Sequence, residues 1–188
     1  YRPYLIEVVT SPHFRGRDFC PPEIKPRPDY WDILSRRLSI TKGIAEWRRL
    51  EQFLESGIEF LEAEDGEAGR WKLTALEIQG LWNIVSSLEK DFSALPHTAS
   101  WDRYVDSFRA IIDKYLDLPG FQRDTGQIVE QEIEVGKSLA AALESLRQRD
   151  LVASSVSLEE FISALQQALE RPSIKLGAEN IAGVQVLD

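Results

Sequence analysis

Ser100-Trp101-Asp102-Arg103-Tyr104-Val105-Asp106-Ser107-Phe108-Arg109-Ala110-Ile111-Ile112-Asp113-Lys114-Tyr115-Leu116 decides the fold class of this chain. Its large apolar residues stand at 101, 104, 105, 108, 111, 112, 115 and 116, the three- and four-residue steps of one helical face. Ser100 offers a side-chain oxygen to a free N–H of the first turn, and Asp102 sets a negative charge at the positive end of the helix. Pro119-Gly120 then breaks the segment. A helix with one apolar face must bury that face, so other helices are expected around it.

Working outward, the same rhythm recurs. Thr74 with Glu77 predicts a capping box opening a helix from about 75 to 94, with Ile78, Leu81, Trp82, Val85, Leu88 and Phe92 inward and Pro96 as the stop. Ser157 with Glu160 predicts a second box and a helix over 158–171, with Leu158, Phe161, Ile162, Leu165 and Leu169 inward. A further helix is expected over roughly 127–149, burying Val129, Ile133, Leu139, Leu143 and Leu146. Toward the N-terminus, Asp29 is read as the N-cap of a short helix over 30–38. Beyond Gly43 the spacing predicts a helix over 44–63, with Trp47, Leu50, Leu54, Ile58 and Leu61 on one face and Glu51, Glu55, Glu59 and Glu62 on the other. Ala63–Gly69 reads as an acidic loop, and no hairpin or internal repeat is expected.

The ends differ in character. Tyr4–Val9 is apolar but too short for periodicity to choose between strand and helix. Residues 11–28 read as irregular, because Pro12, Pro21, Pro22, Pro26 and Pro28 remove backbone donors. Gly183-Val184-Gln185-Val186-Leu187-Asp188 alternates like a strand, and a lone strand here is expected to belong to a neighbouring domain. The expected architecture is therefore all-α, a bundle of about six to seven helices with a terminal strand fragment. Its expected divisions are an entry segment over 1–28 that ends a preceding domain, a helical domain over 29–180, and the start of the next domain over 181–188.

Composition limits the chemistry. A chain of 188 residues that is 43% hydrophobic can build a core without metal or disulfides. The single cysteine, Cys20, excludes a disulfide framework and Cys-based zinc sites, and it fits a reducing cytosol. There is no methionine, position 1 being Tyr1, so the chain is expected to be a piece of a longer one. No run approaches the ~20 apolar residues of a membrane span, and no membrane partner is expected. No GxxxxGK[ST] loop is present. Neither His13 nor His97 stands at zinc or di-iron spacing from a carboxylate. A Cys–His nucleophile would need Cys20 with one of these histidines, and an ordinary thiol is the simpler account. The glutamate row over 51–62 is read as a solvated face. No catalytic, cofactor-binding or metal-binding residue is assigned.

Charge is the one asymmetric property. The formal charge is −9, but residues 1–50 carry ten Lys/Arg against six Asp/Glu, while the remainder is strongly acidic. Most of the chain should repel a nucleic-acid backbone, so any phosphate contact is expected in the first quarter. The candidates there are Arg15, Arg17, Lys25, Arg27, Arg36 and Arg37, followed by Lys42, Arg48 and Arg49. The competing account makes them solvated charges or partners of acids within the domain. Tyr30 and Trp31 could stack on bases or anchor the core.

Two stretches carry a family resemblance. Leu5-Ile6-Glu7-Val8-Val9-Thr10-Ser11-Pro12-His13-Phe14-Arg15 resembles a Ser-Pro-x-Phe stretch of helicase-like proteins with a PD-(D/E)XK nuclease domain, including the AddB-like subunit of helicase–nucleases. Gly183–Asp188 resembles the strand leading into motif V of superfamily 1 helicases of the UvrD/Rep kind. The helices between, with Ser100-Trp101 and Ser157-Leu158-Glu159-Glu160-Phe161 opening two of them, are similar in style to the family's 2B-type helical domain. The resemblance implies a non-catalytic accessory domain of a bacterial, cytoplasmic DNA helicase/exonuclease acting in break processing and recombinational repair. It implies DNA, the motor domains of the same chain and a second helicase–nuclease subunit as partners. It leaves ATP and Mg2+ to the parent protein, with no cofactor in this segment. The alternative is a helical protein-interaction module without a DNA role.

Overall fold

The computed structural model describes residues 1–64, 67–118, 130–151 and 155–170. The architecture is the all-α bundle that the spacing predicts, with seven helices among the described residues and two small two-stranded sheets. The helices are α1 (Arg2–Thr10), α2 (Pro28–Arg37), α3 (Gly43–Trp47), α4 (Ala75–Ser93), α5 (Trp101–Tyr115), α6 (Glu130–Arg147) and α7 (Leu158–Glu170). The strands are β1 (Ile58–Glu64) and β2 (Glu67–Leu73), which form one sheet, and the short β3 (Thr98–Ala99) and β4 (Val156–Ser157), which form the other. The terminal strand expected over 183–188 lies outside the described residues.

The predicted caps are present. Thr74 accepts from the Glu77 N–H and the Glu77 carboxylate accepts from the Thr74 N–H at 2.7 Å, closing the box that starts α4. Ser157 and Glu160 do the same for α7. Ser100 Oγ accepts from the Arg103 N–H at the head of α5. Two further N–H groups of that turn, those of Trp101 and Asp102, donate to the Asp150 carboxylate at 3.0 and 3.3 Å. Asp150 reaches them from a 3-10 turn (Gln148–Leu151) after α6, so one end of α5 is capped by local and distant residues together. The pairs Thr98↔Ser157 and Ala99↔Val156 hold the starts of α5 and α7 side by side.

Two predictions fail near the N-terminus. The helix expected over 44–63 stops at Trp47, passes through a 3-10 segment (Arg48–Phe53), and gives way to a hairpin. The hairpin register runs from Ile58↔Leu73 to Glu64↔Glu67, so the stretch read as an acidic loop over 63–69 is mostly strand. Gly57, at φ +70°, makes the break, a backbone setting that resists helix propagation. The second correction concerns Asp29. Proline at 28 begins α2 with its φ already set, so Arg27 occupies the cap position and Asp29 falls in the first turn, where its charge meets the helix dipole. The undecided segment over 4–9 is helical, within α1.

Two apolar cores result. The first gathers Trp31, Leu34, Leu50, Leu73, Ile78 and Leu81, all fully buried, from α2, the 3-10 segment, the hairpin base and the first half of α4. The second centres on Phe161, whose ring meets Tyr104, Phe108 and Trp101 at 5.0, 5.1 and 5.9 Å between centroids. Phe92, Ile162 and Leu169, expected inward, are exposed, and in α7 the small Ala168 packs on the core where Leu169 was expected. The seam between the cores is crossed at several points. Arg15 N–H donates to Tyr115 O at 2.9 Å and Asp117 N–H to His13 O at 2.7 Å. Phe19 stacks between Phe14 and Tyr115, and Asp91 at the end of α4 accepts from Lys114 Nζ and Tyr115 Oη, each at 2.7 Å.

Two glycines share φ +70° but differ in surroundings. A Cβ on Gly57 would stand 2.5 Å from the Leu73 carbonyl oxygen, whereas one on Gly43 would meet nothing within 4 Å. Gly43→Ala should therefore cost only the left-handed penalty, about 1–2 kcal/mol. Gly57→Ala should cost visibly more, because backbone must move as well. Urea unfolding of both variants measures the difference, and equal losses would contradict the stated contact.

Candidate nucleic-acid interface

The cations of the first quarter separate into those the fold uses and those it leaves at the surface. Arg27 belongs to the first group. Its guanidinium lies 3.0 Å from Glu77 Oε1 and 3.2 Å from the centroid of the Tyr30 ring. Glu77 is buried, with 7% of its surface exposed, so an ionised carboxylate there requires a cation. Trp31 is wholly buried and donates its Nε1–H to the Glu77 carbonyl at 3.2 Å. The Tyr30 ring meets Trp71 edge-on at 4.5 Å between centroids. Trp31 therefore anchors the core and cannot stack on a base. Tyr30 already carries Arg27 against its face.

Arg15 is half-buried and pairs with Asp117 at 3.8 Å across the seam. The Arg17 and Lys25 side chains are exposed and make no hydrogen bond or ion pair among the described residues. Both line a depression of about 280 Å3 with Pro21, Pro22, Glu23 and Ile24. Acids interleave here, Asp18 and Glu23 standing among these bases, so the 15–25 loop is close to electrically balanced.

The other cations gather around the end of α2. Arg36 and Arg37 occupy its last turn, where cations suit the helix dipole. Arg36 bonds Asp32 one turn back, and Asp32 also takes Arg2 of α1. Arg37 lies 5.8 Å from the Phe60 ring centroid of the hairpin. Arg49 Nη1 donates to Leu38 O at 2.6 Å and Ser39 O at 3.1 Å, satisfying carbonyls that the helix end leaves open. Lys42 and Arg48 are exposed and flank α3. Sequence order alone does not show that Arg49 folds back onto the Leu38–Ser39 turn, and Arg2 was not among the residues singled out. The signal for Arg49 is the run of helix-end carbonyls after Arg37 that needs donors.

Other suggested chemistry finds no geometry. The row of glutamates is split, with Glu51 and Glu55 before Gly57 and Glu59 and Glu62 in β1. Among the described residues no group of three or more His, Cys, Asp or Glu is placed to hold a metal. Cys20 is half-buried against α4, and burial, with the Glu77 charge second, raises its thiol pKa, opposite to what a nucleophile needs. No helix among the described residues is long and apolar enough to cross a membrane. No protein-family model matches the chain, and neither a curated protein nor a solved structure matches it.

Burial works against ionisation of Glu77, but hydrogen bonds from Thr74 and Arg27 outweigh it and hold the carboxyl below its ordinary value. A lowered folded-state pKa gives stability that is complete above the unfolded value, about 4.3, and lost as the pH falls through the folded one. Unfolding midpoints between pH 6 and pH 3 should fall more steeply for the native chain than for Glu77→Gln. Parallel curves would remove this ion pair from the account.

Proposed function

We propose that this chain is a non-catalytic accessory domain of a DNA helicase/exonuclease-like protein, engaging DNA during break processing and recombinational repair. The observation that carries the reading is the division of charge. An acidic body of net charge −9 keeps two exposed cations, Lys42 and Arg48, beside one helix end, with side chains that pair with no acid among the described residues. Such segregation favours a polyanion at one face and repels it elsewhere, which orients a domain on DNA without base recognition. The resemblance of Leu5–Arg15 to helicase–nuclease proteins supports the same reading, and so does the helical body that follows. The parent protein, on this reading, supplies ATP, Mg2+ and any cutting chemistry, and the motor domains and a second subunit are its neighbours.

One observation favours a protein-interaction module instead. Tyr1, Tyr4 and Val8 of the α1 region are 77%, 68% and 40% exposed and stand at one-face helical spacing. An apolar strip of this kind suits a protein surface better than a phosphate backbone.

Duplex binding separates the two. Fluorescence anisotropy with a labelled duplex should give weak affinity at low salt, with Kd no tighter than about 1 µM, and log K should fall linearly with log salt. No binding at low salt would leave the protein-interaction reading in its place.

A further inference from the structure

We propose that the phosphate-contact surface is the turn joining α2 to α3 and the 3-10 segment after it, with Lys42 and Arg48 as its freely presented cations, and not the proline-rich 15–27 loop. The assignment rests on the DNA reading above and specifies where on the body the backbone lies.

Three features of the fold distinguish the two regions. The first is charge balance. The loop interleaves Arg15, Arg17 and Lys25 with Asp18 and Glu23, and Asp117 faces it across the seam. Over residues 36–49, Arg36, Arg37, Lys42, Arg48 and Arg49 stand against one acid, Glu46, with Asp32 one turn before Arg36 and Glu51 three residues after Arg48. Asp32 and Glu46 are engaged: Asp32 holds Arg2 and Arg36, and Glu46 accepts from the Thr41 N–H at 2.5 Å and the Lys42 N–H at 3.1 Å. They tie the turn down, and the Lys42 and Arg48 side chains pair with no acid among the described residues.

The second feature is position. The segments that carry the cations are joined by stated bonds. Arg49 reaches the Leu38 and Ser39 carbonyls next to Arg36 and Arg37, and the Arg2 N–H donates to Thr41 O at 2.9 Å beside Lys42. Ser39, at φ +51°, turns the chain between the end of α2 and the start of α3. The third feature is availability. Arg27 is committed to Glu77 and Tyr30, and Arg15 to the seam, so two of the loop's four bases reach phosphate only by giving up an internal contact. The Lys42 and Arg48 side chains are exposed and bond nothing among the described residues, so binding costs no internal contact.

The test compares two double variants of the full chain against the same labelled duplex across a salt series. Lys42→Gln/Arg48→Gln should weaken binding about tenfold at low salt and reduce the salt slope by about 2, one unit per phosphate contact. Arg17→Gln/Lys25→Gln should leave both within about twofold. Far-ultraviolet circular dichroism and thermal unfolding should match the native chain for both, since all four heads are exposed. The opposite ranking, or equal losses, overturns the assignment while the accessory-domain reading stands. Absence of duplex binding by the native chain overturns both.

Discussion

Glu77 is the point on which the first half of the molecule depends. One carboxylate oxygen accepts from Thr74 and so starts α4, while the other meets Arg27 and fixes the entry to α2. Its backbone carbonyl receives the indole N–H of the fully buried Trp31. A charge this buried is tolerated only if paired, and removing one partner leaves the other exposed to an apolar setting. The helix start, the largest side chain of the core and the approach of the proline-rich segment are thus tied to one residue. The same tie decides what remains for function. Arg27 is basic in the sequence, but electrostatically it is part of the core.

Where the sequence was legible, a local rule matched the global structure. Thr74 with Glu77, Ser100, and Ser157 with Glu160 are caps because oxygen and amide lie within one turn, which spacing alone records. The buried faces of α4 and α5 follow from the 3.6 period for the same reason. The hairpin was misread because Trp47, Leu50, Leu54, Ile58 and Leu61 also fit a helical face. The signals against that reading were present. Gly57 precedes Ile58, Asp65-Gly66 is a favoured hairpin pair, and Phe60 with Trp71 gives aromatic cross-strand partners. The helical period runs on across Gly57, but the turn chemistry on its far side decides the structure.

The charged residues show a different limit. Counting bases locates the basic quarter, but pairing is a property of the fold. Arg2 is bonded to Ser35 and Asp32, and Arg27 is held by the buried Glu77, and neither pairing shows in a count of bases. Arg49 resembles its neighbour Arg48 in sequence, but the end of α2 needs donors for its carbonyls and Arg49 supplies them. Folding fills its own electrostatic requirements first, with helix ends, buried carboxylates and seams. What a surface can offer a partner is the remainder.

That remainder has a mechanical setting. α4 has 19 residues, about 28 Å of helix, and runs from the first core to the seam. There Asp91 takes Lys114 and Tyr115, and the aromatic stack of Phe14, Phe19 and Tyr115 closes the other side. Burial and the Asp91 hydrogen bond both raise the Tyr115 phenol pKa, so the hydroxyl keeps its proton and donates throughout the ordinary pH range. The main-chain bonds of His13 and Arg15 to the end of α5 add links that no side-chain substitution removes. The two cores are therefore joined through helix, stacked rings and backbone in parallel.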